Sequence, residues 1–337
     1  MERCKGEDLF NATSACAHLK KVCNQDRLWK LICKREFGLN ADQVRKPHHD
    51  NICWKCYYQE RKVLESKDAL KWHSLSESDG RREPKPRYAH SATAANGQIF
   101  FIGGEIRSES RYNDVHVFDP ATMTFSKALN HVIPQPLSRH QSCAVGNKIY
   151  VFGGFDGVSR FNEMSVFNVA MNWWYKVETR GDVPAPRSNH ACAVVGTNIY
   201  LFGGNNTSPE GRYRVLDDFY SFDTMTLTWK CLTAHKARDF PSSRSGHALV
   251  PFGNKLLLFG GGVWDDGSAQ WVHKYNHVYL YDTEHGDWQR AETRGDVSVC
   301  TFPSTARLGH YHLLVFGGQS TKNNWTTNEL FVLDTGT

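Results

Sequence analysis

Two sets of residues in this sequence have types and spacings that could do chemistry. One is an Arg-x-x-His step at Arg87/His90, Arg187/His190 and Arg244/His247, with a tighter Arg139-His140. Guanidinium and imidazole can hold anions or move protons. Their regular recurrence argues instead for hydrogen-bonding groups inside a repeated element. The other set is His48, His49, Cys53 and Cys56, which invites zinc. Its Cys-x-x-Cys sits in a helical pattern and the paired histidines do not complete a usual four-ligand set, so no metal and no cofactor is expected. Gly-x-Ser-x-Gly, a phosphate-binding glycine loop and His-Glu-x-x-His are all missing, and no catalytic residues are assigned.

What positions the Arg and His residues is a repeated apolar run ending in two glycines. It occurs at Ile99–Gly104, Ile149–Gly154, Ile199–Gly204, Leu256–Gly261 and Leu313–Gly318. The period is 50 to 57 residues, the signature of a repeat architecture. Each of the four histidines lies 13 residues before its first glycine. After the glycines come Phe118-Asp119, Phe167-Asn168, Phe222-Asp223 and Tyr281-Asp282, and six residues later Phe125, Trp174, Trp229 and Trp288. That cadence predicts four short strands per repeat, with glycines where chain segments approach closely and the late aromatic wedged between neighbouring sheets.

Over about residues 68–337 this pattern resembles the kelch β-propeller. The resemblance implies an all-β propeller fold behind a small α-helical module. Trp72 reads as a fourth strand completing the fifth repeat, whose own Trp is missing after Asp334. Five blades are therefore preferred, with six the alternative for a truncated chain. In the fifth repeat Arg307 and His310 come late, so a distorted first strand is expected there. The duplicated Glu-Thr-Arg-Gly-Asp-Val at 178–183 and 292–297 reads as a repeated loop rather than an integrin motif.

Residues 11–38 read as two helices, the second opened by Asp26 and ended by Gly38. The run Asp26-x-Leu28-Trp29-Lys30 followed by Arg35-Glu36-Phe37-Gly38 resembles the second half of an F-box, without that family's Leu-Pro helix. The organisation expected is a partial F-box-like module at 1–40, a linker with a helix at 41–67, and the propeller at 68–337. By this resemblance Leu19, Leu28, Trp29 and Ile32 would dock the adaptor subunit of a cullin-based ubiquitin ligase. The chain would then be the substrate-recognition subunit, with a protein substrate. The alternative is a non-catalytic kelch scaffold without ligase docking.

The net charge of +5 lies in the first 67 residues, with 14 Lys/Arg against 9 Asp/Glu, while residues 68–337 are balanced. A neutral propeller argues against nucleic acid as partner. No apolar run reaches membrane length and the N-terminus has no signal-peptide core, so no membrane partner is expected and the location expected is cytoplasmic or nuclear. Ten cysteines without a paired framework fit a reducing compartment, and the propeller is expected to be monomeric. Function is expected in the segments after each Gly-Gly: 105–113, 155–161, 205–216, 262–275 and 319–327. Their candidate partner-binding residues are Arg107, Arg111, Arg160, Arg212, Tyr213, Arg214, Trp264, Asp265, Trp271, Lys274 and Trp325.

Overall fold

Antiparallel sheets dominate the computed structural model, which describes residues 25–39, 53–65, 84–106, 110–128, 137–208, 211–233, 239–295, 297, 299–320 and 325–335. The chain divides into two units, one of Leu75–Ser304 with Gly317–Glu329, the other of Met1–Ser74, Thr305–Phe316 and Leu330–Thr337. The fold class is all-β, a five-bladed propeller type with two short helices. Trp72, Leu19 and the expected first helix lie outside the described residues.

In the larger unit four sheets follow one another, each built on a four-stranded meander in which sequence order is spatial order. The second is typical: Gln141–Val145, Lys148–Phe152, Met164–Asn168 and Trp173–Val177. Its second strand, Lys-Ile-Tyr-Val-Phe, is buried on both faces because a sheet lies on either side, which is why it reads as continuous rather than alternating. The core is correspondingly split into interblade layers. One joins Phe100 and Ile102 to Ile149 and Phe167, one joins Phe152 and Val166 to Leu201 and Phe222, and one joins Phe202 and Phe219 to Leu258 and Trp288. The late tryptophans wedge there as expected, while Phe125 meets Phe101 and Phe118 of its own sheet. Trp229 lies 4.9 Å from Phe152 of the preceding sheet, and Trp288 lies 5.0 Å from Phe219.

The paired glycines are explained by what faces them. At Gly153 (φ 65°) a side chain would meet the Arg187 carbonyl at 2.7 Å and the His190 ring of the next blade at 2.9 Å. At Gly154 (φ 104°) it would meet Leu137 and the Cβ of His140 in its own blade. The first glycine thus makes room for the next blade and the second for its own first strand. The repeated Asp or Asn has an equally local cause. Asp119, Asn168, Asp223 and Asp282 accept backbone N–H bonds from the turn that follows, closing it into an Asx turn before the last strand. Among the described residues Asp282, Glu284 and His285 are the one acid-and-His group with metal-like spacing, and they lie on this exposed turn.

A ladder of backbone hydrogen bonds joins the starts of successive repeats. Arg139 N–H donates to the Ala89 carbonyl, Asn189 to Arg139, Gly246 to Asn189, and Phe302 to Gly246, at 2.7–3.0 Å. All five residues have positive φ. This ladder corrects two alignments drawn from the sequence. Arg139-His140 is not a shortened Arg-x-x-His: Leu137 holds the Arg position and Arg139 holds the ladder position. In the fifth repeat the ladder position is Phe302, so Cys300 and Pro303 stand where other repeats have Arg and His. The strand Ser304–Leu308 that follows lies at the edge of its sheet beside His312–Phe316, and Arg307 and His310 belong to its end.

The duplicated loop also has a structural use. Arg180–Gly181 adds to the outer strand of the third sheet as a fifth, parallel strand. Asp182 accepts a bond from the Cys231 N–H at 3.0 Å.

The smaller unit holds helix α1 (Asp26–Glu36), helix α2 (Trp54–Glu65) and the fifth sheet, Ser304–Leu308, His312–Phe316 and Leu330–Asp334. Trp29, Ile32 and Cys33 of α1 pack on Trp54, Tyr57 and Tyr58 of α2. Glu60 of α2 accepts bonds from the backbone N–H of His310 and Tyr311 at 2.6 and 3.0 Å, and lies 2.9 Å from Nδ1 of buried His312. Tyr57 donates to Asp334 at 2.8 Å. Among the described residues no helix is long and apolar enough to cross a membrane.

Candidate functional site

The segments after Gly-Gly form a rim of short hairpins on the larger unit. They pair Glu105–Ile106 with Ser110–Arg111, Phe155 with Arg160, Asn205–Thr207 with Tyr213–Val215, the end of Lys255–Asp265 with Gln270–Lys274, and Gln319 with Thr326. Each begins at the residue directly after the second glycine, because that glycine frees the chain to leave its sheet and pair with the segment ahead of the first strand.

Ion pairing concentrates in the first two hairpins. Glu105 is 0% exposed and takes Arg111 at 3.0 Å and Arg139 at 3.0 Å, with a third bond from Ser138 Oγ at 2.9 Å. The guanidinium groups of Arg111, Arg139 and Arg160 stand 5.1, 5.7 and 5.2 Å from the centre of the Phe155 ring. Arg160 differs from the other two. It donates to Ser188 Oγ, Asn205 Oδ1 and Thr207 Oγ1, all neutral oxygens, and burial pushes its pKa down. Among the described residues it makes no ion pair.

The third and fourth hairpins enclose a cavity of about 620 Å³ lined by Arg212, Tyr213, Val215, Trp264, Asp265 and Asp266, among others. Tyr213 joins it to the arginine cluster, with Arg160 5.7 Å from its ring. On the far side Trp264 and Trp271 meet at 5.5 Å, and Trp271 meets Phe302 at 5.9 Å. Phe302 is 51% exposed.

The residues expected at the rim are placed as follows. Arg111, Arg160, Arg212, Tyr213, Trp264, Asp265 and Trp271 come together in this continuous surface. Asp265 is turned partly inward on its own loop, accepting from Ser268 N–H at 3.0 Å, and the hydrogen bonds of Ser268 hold its carboxyl below the usual range. Arg214 is exposed on the hairpin. Lys274 donates to the Ser320 carbonyl at 2.9 Å and so ties the fourth hairpin to the fifth. Trp325 is 75% exposed on the fifth. Arg107 lies outside the described residues. Glu105, Arg139, Phe155 and Phe302 were not anticipated. The signal for Glu105 and Phe155 was their place directly after Gly-Gly, while Arg139 and Phe302 were hidden by misaligned repeats.

The residues assigned to adaptor docking are placed differently. Trp29 and Ile32 are buried between the two helices and Leu28 packs against the same cluster, while Leu31 is 46% exposed.

Residues 63–261 match the family described as the KLHDC2/KLHL20/DRC7 Kelch-repeats domain. The chain belongs to the kelch-repeat family. Kelch propellers are typically non-enzymatic interaction domains that bind protein partners. The chain is 28% identical over 251 residues, 70% of its length, to the leucine-zipper-like transcriptional regulator 1 homolog of Drosophila melanogaster, of which it spans 24%. It is 31% identical over 190 residues, 53% of its length, to the Rab9 effector protein with kelch motifs of Rattus norvegicus, spanning 50% of it. It is 32% identical over 168 residues, 49% of its length, to the N-(sulfonatooxy)prop-2-enimidothioate sulfolyase of Thlaspi arvense, spanning 46% of it. The kelch chain thus spans half or less of the length of each of these relatives.

Proposed function

We propose that this kelch protein is the substrate-recognition subunit of a cullin-based ubiquitin ligase, holding a protein substrate on the hairpin rim. The observation that carries the binding half is the rim itself: arginines, a tyrosine and tryptophans around one cavity, the residue types that dominate protein interfaces. A cavity between loops held by rigid sheets suits a short segment of a partner. The ligase half rests on the resemblance of α1 to the second half of an F-box. The role is non-catalytic: the substrate is held, and the chemistry belongs to the rest of the ligase.

One observation favours the second reading, an interaction scaffold without ligase docking. Trp29 and Ile32 are spent on packing α1 against α2, which leaves Leu31 as the large apolar side chain that α1 presents to solvent. Calorimetric titration of the purified ligase adaptor into the full chain, and into a Leu31→Asp variant, separates the two. Micromolar or tighter binding that weakens at least tenfold in the variant supports the ligase reading. No binding by the full chain overturns it and leaves the scaffold.

A further inference from the structure

Successive blades of the larger unit touch through their first strands, and the step from one to the next is regular. At the first interface Thr93 faces Ser142, with Thr93 Oγ1 2.5 Å from Ser142 Oγ and donating to the Ser142 carbonyl at 3.1 Å. One repeat further along the chain, Thr93 becomes Cys143 and Ser142 becomes Cys192. The sheet register agrees: Thr93 and Cys143 lie opposite Phe100 and Tyr150, and Ser142 and Cys192 opposite Val151 and Leu201. The ladder agrees too, since its bonds across the two interfaces are 2.8 and 2.9 Å. At the third interface the same positions hold Ala193 and Leu249, which share one apolar cluster. Cys143 and Cys192 likewise share a cluster, both are free thiols, and a hydrogen-bonding interaction links them.

We propose that Cys143 and Cys192 are a reversible modification site, forming a disulfide between the second and third blades when the chain meets hydrogen peroxide. A disulfide needs its two Cβ atoms about 3.5–4.5 Å apart. The equivalent Thr93–Ser142 contact, made by atoms one bond from each Cβ, matches that spacing. One thiol sulfur attacks the peroxide O–O bond, becoming a sulfenic acid and releasing water. The second sulfur attacks the sulfenic sulfur, the S–S bond forms, and the hydroxyl leaves with the second thiol proton as another water. Two thiols are oxidised and one peroxide is reduced. Burial pushes the Cys192 thiol well up, so the pair reacts slowly and answers sustained rather than passing exposure. The bond closes a loop one repeat long, which limits the unfolded chain. It also staples the two blades that Arg160 joins at the rim through Ser188, Asn205 and Thr207. The inference is independent of ligase docking and of the partner held at the rim.

The test exposes the reduced full chain to hydrogen peroxide, blocks remaining thiols with N-ethylmaleimide in denaturant, and maps tryptic peptides by mass spectrometry without reduction. Cys143 and Cys192 fall in separate peptides, 140–148 and 188–212, each with a single cysteine. A species joining these two peptides, split by a dithiol reductant, is expected. Oxidation should also raise the denaturant midpoint of the full chain. Cys143→Ala and Cys192→Ser introduce the residue types that neighbouring repeats carry at Ala193 and Ser142, so both variants should fold. Each should lose the gain in midpoint. Recovery of the two peptides unjoined from the folded, peroxide-treated chain would overturn the proposal. So would either cysteine joined to a third one, or an equal gain in midpoint in Cys143→Ala.

Discussion

The buried arginine of the repeat has two different settings in this molecule, and its partners decide which. Arg187 is fully buried and pairs with Asp218 through two bonds of 2.6 and 2.8 Å while a third reaches the Gly203 carbonyl. Arg87 repeats this with Asp114 and Gly103. Burial alone would raise the Asp114 pKa, but hydrogen bonds from His116 and Arg87 hold it well below the usual carboxylate range. In the fourth repeat the acid position is taken by His277, which precedes its third strand as Asp218 precedes the third strand of the sheet before. Arg244 there keeps the carbonyl bonds to Gly260 and Ser242 and stacks on Tyr275 and Tyr279 at 4.5 and 5.1 Å. Burial pushes its pKa down to about 10. His277→Asp should therefore raise stability by about 1–2 kcal/mol by supplying the missing carboxylate. A lowered denaturant midpoint in that variant would contradict the account.

Each sheet behaves as a unit whose fit depends on the spacing to its neighbour. The Gly-Gly step sets that spacing, since the next blade's Arg carbonyl and His ring lie where a side chain would be. Gly153→Ala should cost roughly 2–4 kcal/mol, combining left-handed backbone strain with the contact to the Arg187 carbonyl. Gly196→Ala is the matching control, because its φ is 62° but nothing lies within 4 Å of the added Cβ. Thermal melts of the two variants should differ by several degrees, and equal losses would show that backbone strain alone matters. These element rules were readable beforehand: strand positions and wedge tryptophans follow from local periodicity, and the end of α1 from Gly38 at positive φ, while Asp26 at its start accepts from Trp54 N–H rather than capping the helix. The hairpin pairings were not, because they join residues that one glycine step and a variable loop separate.

For the molecule as a whole, buried histidines of opposite character shape stability against pH. Burial pushes His140 and His247 down to about 3 and His190 well below 6.5, with neighbouring positive groups adding to the effect. Between those values and 6.5 the unfolded chain binds protons that the folded chain refuses, so stability falls as the pH drops through this window. His312 acts in the other direction. Burial would lower its pKa, but the Asp334 carboxylate 3.7 Å from its Nε2 and the Glu60 carboxylate that accepts from its Nδ1 raise it above 6.5. Its contribution is full below 6.5 and is lost as the pH rises through the raised value. Denaturant midpoints of the full chain measured from about pH 4 to about pH 9 should peak at about pH 7 and fall steeply on the acid side. His312→Gln should flatten the alkaline limb and leave the acid limb unchanged. An acid limb that does not fall would show that the buried imidazoles accept protons in the folded state.

The repeat and its strands were legible in the sequence, which preferred five blades to six, because Gly-Gly, the Asx turn and the wedge aromatic act within one repeat and recur. The sequence also carried the family, since that likeness lies in the same recurring residues. Which residue stands at each ladder position was decided only in three dimensions. The ladder is made by backbone N–H and carbonyl groups at positive φ, which Ala89, Arg139, Asn189, Gly246 and Phe302 all adopt, so no side-chain type marks it. The arginine cluster was hidden for a related reason. Glu105, Arg139, Phe155 and Arg160 come from two repeats, and Asn205 from a third; only the stacking of blades brings their side chains within bonding distance.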